Sequence, residues 1–486
     1  MKLFVLGIDG LMLAAFEALD MPFLKSFCSG NPSHIYTEDL ETRGWAKIYT
    51  GQLCHENKSL YEYLECDGTY KWMERFYSGQ ISGDEQKPIW DALSSKGVSV
   101  GIMNVPTASP VGVVNGFWVA GGGGGGKLNN SITESDVFPK IEKKLLQDVG
   151  YIKDERFHSL IGSQKLVNLA DFLNRLITMT KKRVDTYLKL NEKYDVDFGF
   201  IVMRSIAVVN YLFAADIKRM INKEKSSFSD TEKYLYNFHG QFDAEIKRLI
   251  QGLGSTEVIL ATDHGMTVLE KELNVNRLLV ELEFQKTNSG SSIKKTIVNL
   301  VKKILPDVLK DLLKSRSSIT KEFTDIVPFD PSATQAFTLV RQGTMHGIYI
   351  NDECRFNGPV KSSKAKFLAN EICEAINARG DMQLNGISAN IHPYHGRGKF
   401  GHLLPNIILT MPSSVKPVSW GRKVLNSVDF EPTKSDLSFI QGAHYSGVKC
   451  KETVVSFTAG LNEHFQATQK NDLRQINKVI KSVLGL

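Results

Sequence analysis

An aspartate and a histidine stand side by side in Ala261-Thr262-Asp263-His264-Gly265-Met266, directly after the apolar run Val258-Ile259-Leu260. Carboxylate and imidazole are both ligands for divalent cations, and open α/β sheets present ligands at the carboxyl ends of their strands. Adjacent side chains within a strand point to opposite faces. These two therefore converge on one ion only in the turn that leaves the strand. Asp9 closes another apolar run, Leu3–Ile8, and Gly10 behind it lets the backbone turn sharply. An Asp-Gly turn, and a helix cap beside a surface histidine, are the plainer readings of the same residues.

A hydroxyl and a cation adjoin in Glu41-Thr42-Arg43-Gly44-Trp45-Ala46-Lys47-Ile48-Tyr49-Thr50-Gly51. The Thr42 hydroxyl is a poor nucleophile until a metal or a base takes its proton. The planar fork of Arg43 suits a phosphate. The structural alternative is a helix start, with Glu41 or Thr42 as cap and Trp45 in the core. His444 lies in a glycine-flanked loop, Gln441-Gly442-Ala443-His444-Tyr445-Ser446-Gly447, and is a further candidate ligand. Glycines 121–126 with Lys127 meet the spacing of a phosphate-binding loop, but Leu128 stands where Ser or Thr is required, so a plain loop is expected. His392, His395 and His402 match no standard zinc spacing and read as a surface loop.

The elements that must position these residues follow from apolar patterning. Runs at Leu3–Ile8, Val98–Met103, Phe117–Ala120, Phe198–Met203 and Val258–Ala261 are short enough for buried strands, and helical spacing at Trp90–Lys96 and Lys165–Asn191 separates them. That alternation predicts an α/β fold, a mostly parallel central sheet flanked by helices. Later strand candidates are Gly347–Ile350 and Asn406–Thr410. Between them and the first half, Ile297, Val301, Ile304, Val308 and Leu312 recur at helical spacing, with lysines 294, 295, 302, 303, 310 and 314 on the other faces and Pro306 as a divider. A helical cap with its lysines in solvent is the plain reading, and a membrane-surface contact is the alternative.

The chain of 486 residues is 42% hydrophobic and 23% charged, the composition of an ordinary globular protein. A net charge of +6 does not mark a binder of polymeric nucleic acid, though it suits an anionic substrate. Six cysteines without a C-x-x-C pair fit a reducing compartment. Leu3–Ile8 reads as a core strand rather than a signal peptide, and no run approaches the roughly 18 apolar residues of a membrane span. A cytoplasmic location is the expectation.

Taken in order, the pieces resemble the alkaline phosphatase superfamily, in its type I phosphodiesterase/nucleotide pyrophosphatase branch. The parallels are Ile8-Asp9-Gly10-Leu11, Trp45 through Thr50-Gly51, Trp90-Asp91-Ala92-Leu93, Gly101-Ile102-Met103-Asn104-Val105-Pro106 and Val114-Asn115-Gly116-Phe117. They continue through Thr262-Asp263-His264-Gly265-Met266, Val275-Asn276-Arg277-Leu278, Gly347-Ile348-Tyr349-Ile350 and Gly442-Ala443-His444. The resemblance implies two metal ions. One would be held by Asp9, Asp263, His264 and the nucleophile. The other would be held by an Asp and a His four residues apart in a middle segment, together with His444.

The middle segment departs from this pattern. Ala207 and Tyr211 stand where the Asp and His belong. Counting back from Trp45, the nucleophile position falls on Glu41, and a one-residue gap moves it to Thr42. With one ion lost, Arg204 or Arg43 is the cation available to take its charge-stabilising part, and His444 would become an acid or base. The implied function is a metal-dependent phosphoester or phosphodiester hydrolase, or phosphoryl transferase, with an atypical single-metal site acting on a small phosphorylated substrate. A catalytically degenerate, ligand- or partner-binding relative is the alternative. Mixed oxygen and nitrogen ligands fit Zn2+, Mn2+ or Mg2+, with zinc favoured by the imidazole. The division expected is an α/β core over 1–275 and 390–486, with a helical insertion around 130–192, and a cap insertion over 276–389.

Overall fold

A computed structural model describes residues 1–16, 18–73, 87–109, 111–120, 143–152, 168–254, 256–287, 329–339, 346–418, 423–434, 446–468 and 471–486. The glycine run with Lys127, the lysine-rich stretch around Pro306 and His444 lie outside the described residues. The chain divides into two units: residues 1–61, 74–270 and 428–486, and residues 62–73 and 271–427.

The first unit is built on a seven-stranded sheet. Its strands are β1 (Leu3–Ile8), β2 (Ser33–Thr37), β3 (Val100–Met103), β4 (Gly116–Val119), β5 (Phe198–Met203), β6 (Glu257–Ala261) and, late in the chain, β9 (Glu452–Phe457). They lie in the order β2-β9-β6-β1-β5-β3-β4. The five from β6 to β4 are parallel, and β9 runs antiparallel to both β6 and β2. An antiparallel pair, β7 (Gly265–Val268) and β8 (Gly447–Cys450), forms a separate ribbon.

Both faces of the sheet are covered, which is why β1 is apolar at every position rather than alternating. Phe4, Leu6 and Ile8 pack with residues of the helices α2 (Leu169–Tyr194), α3 (Ser205–Ile221) and α4 (Asp230–Gly252). Leu3 and Val5 face the other layer, where Trp45 and Ile48 of the short helix α1 (Gly44–Thr50) meet Trp90 and Ile476. The helices begin where side chains can replace missing backbone partners. The Asn168 side chain accepts from Asp171 N at 2.8 Å, and Ser229 and Glu232 cap each other's backbone amides at the start of α4. At 26 residues, α2 ends three residues beyond the periodicity that predicts it, at Asp195 in the left-handed region.

Register sets the functional end of the sheet. Ile8 lies opposite Met203, and Gly7 opposite Ala261, so the parallel strands β1, β5 and β6 finish together. Asp9, Arg204 and the turn Thr262-Asp263-His264 therefore leave the sheet at one edge.

In the second unit, Ala336–Phe337, Gly347–Ile350, Ile407–Thr410 and Ser388–Ile391 form an antiparallel sheet, and Ile372 and Ile376 of the helix Ser362–Asn377 share its core with Ile348, Ile350 and Leu409. Pairing of the strands at 388–391 and 407–410 with this sheet, and of Val415–Val418 and Leu425–Ser427 with Lys271–Asn274, carries the unit on to residue 427, past the 389/390 boundary expected from the sequence. No helix among the described residues is long and apolar enough to cross a membrane.

Candidate active site

At the common end of β1, β5 and β6, three donors converge. Asp9 is held by its amide, which donates to Met203 O at 3.0 Å, and Gly10 turns the chain away at φ 63°. Asp263 and His264 occupy the turn between β6 and β7. His264 Nε2 lies 3.7 Å from Asp9 Oδ1 and 3.6 Å from Asp263 Oδ2, and the three ligand atoms fall within 4.8 Å of one another. All three residues are buried.

The histidine is set for ligation through Nε2. Its Nδ1 lies 2.9 Å from Gly265 O, and a carbonyl can only accept, so the proton resides on Nδ1. Burial, with the nearby Lys449 charge, holds the imidazole pKa down to about 3, keeping it neutral. Burial works against the Asp9 carboxylate too, yet the Arg204 and Lys449 charges keep its pKa below the ordinary value. Burial and the Asp9 charge push Asp263 up. Asp9 Oδ2 accepts from Trp45 Nε1 and Arg204 Nε, each at 3.2 Å, and Asp263 Oδ2 accepts from Tyr61 Oη at 3.3 Å. Asp263 Oδ1 is buried and, among the described residues, has no hydrogen-bond partner. Two carboxylates, a neutral imidazole and one unbonded buried oxygen suit a divalent cation.

Gly44, the first residue of α1, packs directly on this turn: a Cβ there would sit 2.5 Å from Asp263 O. Just before it, Thr42 Oγ1 donates to Asp39 Oδ2 at 3.1 Å and accepts from Cys54 N at 3.2 Å. Asp39 Oδ1 also receives the amides of Glu41 and Thr42, at 2.8 Å each. None of the Thr42 hydroxyl's hydrogen bonds goes to the Asp9–Asp263–His264 group. Arg43 is buried, where the sequence reading has its fork facing phosphate. Its Nε donates to Leu60 O at 3.0 Å and an Nη to Tyr61 O at 3.1 Å, and the guanidinium lies 4.9 Å from the Tyr61 ring centre. The fork is turned to the backbone of residues 60 and 61 because that segment runs beside residues 41–43, bridged at Thr42 and Leu60.

Arg204 immediately precedes α3, so Ala207 and Tyr211 fall on its first turns. Ala207 packs against Gly10, and the Tyr211 ring lies 6.4 Å from that of His264. Burial and the charges of Asp9 and Asp263 push the Tyr211 hydroxyl well up. In the second unit, His395 donates from Nδ1 to Leu404 O at 2.9 Å and meets Asn406 Nδ2 at 3.1 Å through Nε2. Both ring nitrogens serve the local loop.

Sequence reasoning misses three residues. Trp45 is read as core, yet its indole also bonds Asp9. Tyr61 carries no motif. Lys449, half-buried on β8, has its Nζ 3.7 Å above the Tyr61 ring centre, and burial brings its pKa down to about 8 against the pull of Asp263 and Asp9. The one sequence signal for it is a lysine between Val448 and Cys450 in an otherwise apolar strand.

The family model for type I phosphodiesterase/nucleotide pyrophosphatase matches residues 3–335. Among solved structures, phosphonoacetate hydrolase from Sinorhizobium meliloti 1021, in complex with phosphonoformate, is 12% identical with a TM-score of 0.51, covering 99% of this chain and 95% of that one. Murine ectonucleotide pyrophosphatase/phosphodiesterase 5 is 12% identical with a TM-score of 0.49, covering 100% of this chain and 95% of that one. No curated protein matches the sequence.

Proposed function

The chain belongs to the type I phosphodiesterase/nucleotide pyrophosphatase family, and from that premise we propose that it is a hydrolase of small phosphoesters or phosphodiesters working with a single divalent ion. The observation that carries this reading is the buried group of Asp9, Asp263 and His264, with Asp263 Oδ1 left without a hydrogen bond among the described residues. These three residues would hold the ion, with zinc favoured by the imidazole. When bound, it would supply positive charge to a phosphoryl oxygen and lower the pKa of a hydroxyl or water beside it.

The chain's own groups do the rest. Trp45 and Arg204 fix Asp9, and Tyr61 fixes Asp263, so the ligands are oriented before anything binds. Arg204 is partly exposed and supplies guanidinium charge to the phosphate. Arg43 acts from behind, holding the 60–61 backbone and thereby the Tyr61 ring. Thr42 is the attacking hydroxyl in this reading. Its oxygen bonds to phosphorus as the bond to the leaving group breaks, and its proton passes to Asp39, to which it already donates. The departing alkoxide takes a proton from water, the hydroxide so formed attacks phosphorus and breaks the bond to Thr42 Oγ1, and Asp39 returns the proton to that oxygen. Lys47 and two backbone amides hold the Asp39 pKa low despite burial, so Asp39 orients the hydroxyl more than it activates it.

Metal analysis of the purified protein together with hydrolysis of bis(p-nitrophenyl) phosphate tests the proposal. Wild type should retain one divalent ion per chain and cleave the diester. Asp263→Ala should lose both ion and activity, and Thr42→Ala should keep the ion and lose activity. Wild type without a retained ion would overturn the single-ion reading in favour of a binding role. Full activity in Thr42→Ala would remove that hydroxyl from the mechanism.

A further inference from the structure

Resting on the single-ion reading above, we propose that Lys449 is a phosphate-binding residue whose ammonium group takes the charge-stabilising place of a second ion. Its position carries the argument. β8 lies antiparallel to β7, with Lys449 opposite Met266. Gly447 is two residues earlier, hence on the same face of the strand. That face packs on α3: a Cβ at Gly447 would lie 2.3 Å from Asn210 O and 2.9 Å from Tyr211 Cα. Lys449 therefore projects from the side of β8 turned toward the helix that bears Ala207 and Tyr211.

The surroundings of the ammonium group point to a ligand. Nζ sits 3.7 Å above the Tyr61 ring centre, and the Tyr61 hydroxyl reaches Asp263. Its charge is felt by Asp9, Asp263 and His264. Yet among the described residues it forms no ion pair within 4 Å and no hydrogen bond, and its partner there is the aromatic face. An ammonium has three donors and no acceptor. Leaving such donors unpaired in a half-buried position is costly, and phosphoryl oxygens approaching Arg204 and the carboxylate-held cation would satisfy them. With a pKa brought down to about 8, the group still carries its charge at neutral pH.

The competing account is that Lys449 only neutralises Asp9 and Asp263. Both accounts let ion affinity rise when the ammonium is removed, and they part over phosphate. Lys449→Met removes a like charge from beside the ion, so divalent-ion affinity, measured by chelator competition, should stay equal or tighten. Inorganic phosphate binding to the ion-loaded protein, measured by calorimetry, should weaken by about 10- to 100-fold, the worth of a charge-assisted hydrogen bond. Lys449→Arg should restore most of that affinity. Lys449→Gln serves if the methionine variant does not fold. Phosphate affinity unchanged in a folded charge-removing variant overturns the proposal. Wild type that binds no ion sinks the single-ion reading instead, and phosphate binding to metal-free wild type and variant still judges Lys449.

Discussion

Adding a single methyl group at Gly44 should disable the site while leaving most of the fold intact. A Cβ at this position would lie 2.5 Å from Asp263 O, 2.6 Å from Asp263 Cβ and 2.9 Å from Asp263 Cα, where ordinary contacts begin at 3.4 Å. The turn and the start of α1 must therefore separate by about 1 Å, the scale at which misplaced groups cost on the order of 100-fold in rate. Asp263 cannot retreat freely. Its neighbour Thr262 is tied to Val454 by two hydrogen bonds of 3.0 Å, one through the amide and one through the hydroxyl. The displacement falls on the Asp263 side chain or on Thr42 and Arg43 ahead of the helix. Overpacking of this kind costs roughly 1–3 kcal/mol, against which alanine returns up to about 1 kcal/mol over glycine in a helix. Gly44→Ala should then melt only a few degrees below wild type, with chelator competition reporting ion affinity reduced by one to two orders of magnitude. Gly30→Ala is the control, because a Cβ there meets nothing within 4 Å. Gly44→Ala with wild-type ion affinity would refute the idea that the α1 start and the Asp263 turn form one rigid support.

Acid stability and ion stoichiometry give two further expectations. His239 is fully buried on α4, donates from Nδ1 to Leu235 O at 2.7 Å, and has its pKa brought by burial from 6.5 down to about 4. The unfolded chain takes up a proton near pH 6.5 that the folded protein refuses until about pH 4, so this stabilisation is complete above pH 6.5 and is lost as pH falls across that window, by up to ~3 kcal/mol. His239→Leu should lose less stability than wild type between pH 7 and pH 4.5 in urea titrations, and parallel losses would contradict the assignment. Ala207→Asp with Tyr211→His should gain a second ion only when Lys449→Met is also present, because an ammonium beside the restored ligands repels a cation. A second ion bound with Lys449 in place would show that the lysine does not occupy that ground.

The sequence shows most plainly what local patterning controls. Leu3–Ile8, Phe198–Met203 and Val258–Ala261 are apolar at every position because both faces of their sheet are covered, and uninterrupted apolar runs of that length are the mark of such strands. Their common end follows from parallel pairing, so Asp9, Asp263 and His264 could be expected together. What pairs across the chain is not written locally. Tyr61 reaches Asp263 over 202 positions, and no periodicity around Tyr61 announces it. Arg43 looks like a phosphate clamp from its charge alone, but its donors are claimed by carbonyls that a neighbouring segment brings alongside. The short strands at 388–391 and 407–410 belong to the second unit because of antiparallel pairing set by tertiary contacts, which their composition does not encode.

On the reading proposed here, the absence of a carboxylate at position 207 is a complement to Lys449 rather than a sign of decay. Asp9 and Asp263 together balance one divalent ion, so Arg204, paired with Asp9, and Lys449, over the Tyr61 ring, give the site a net positive charge toward an anionic phosphate. An aspartate at 207, on the helix turn against which Gly10 packs, would draw the ammonium into an ion pair and take it from the substrate. A histidine at 211 would offer a lone pair that only a second cation could use, whereas tyrosine places a neutral ring beside His264, its hydroxyl kept protonated by burial. Alanine and tyrosine at those places are therefore what a site with one ion and a lysine requires.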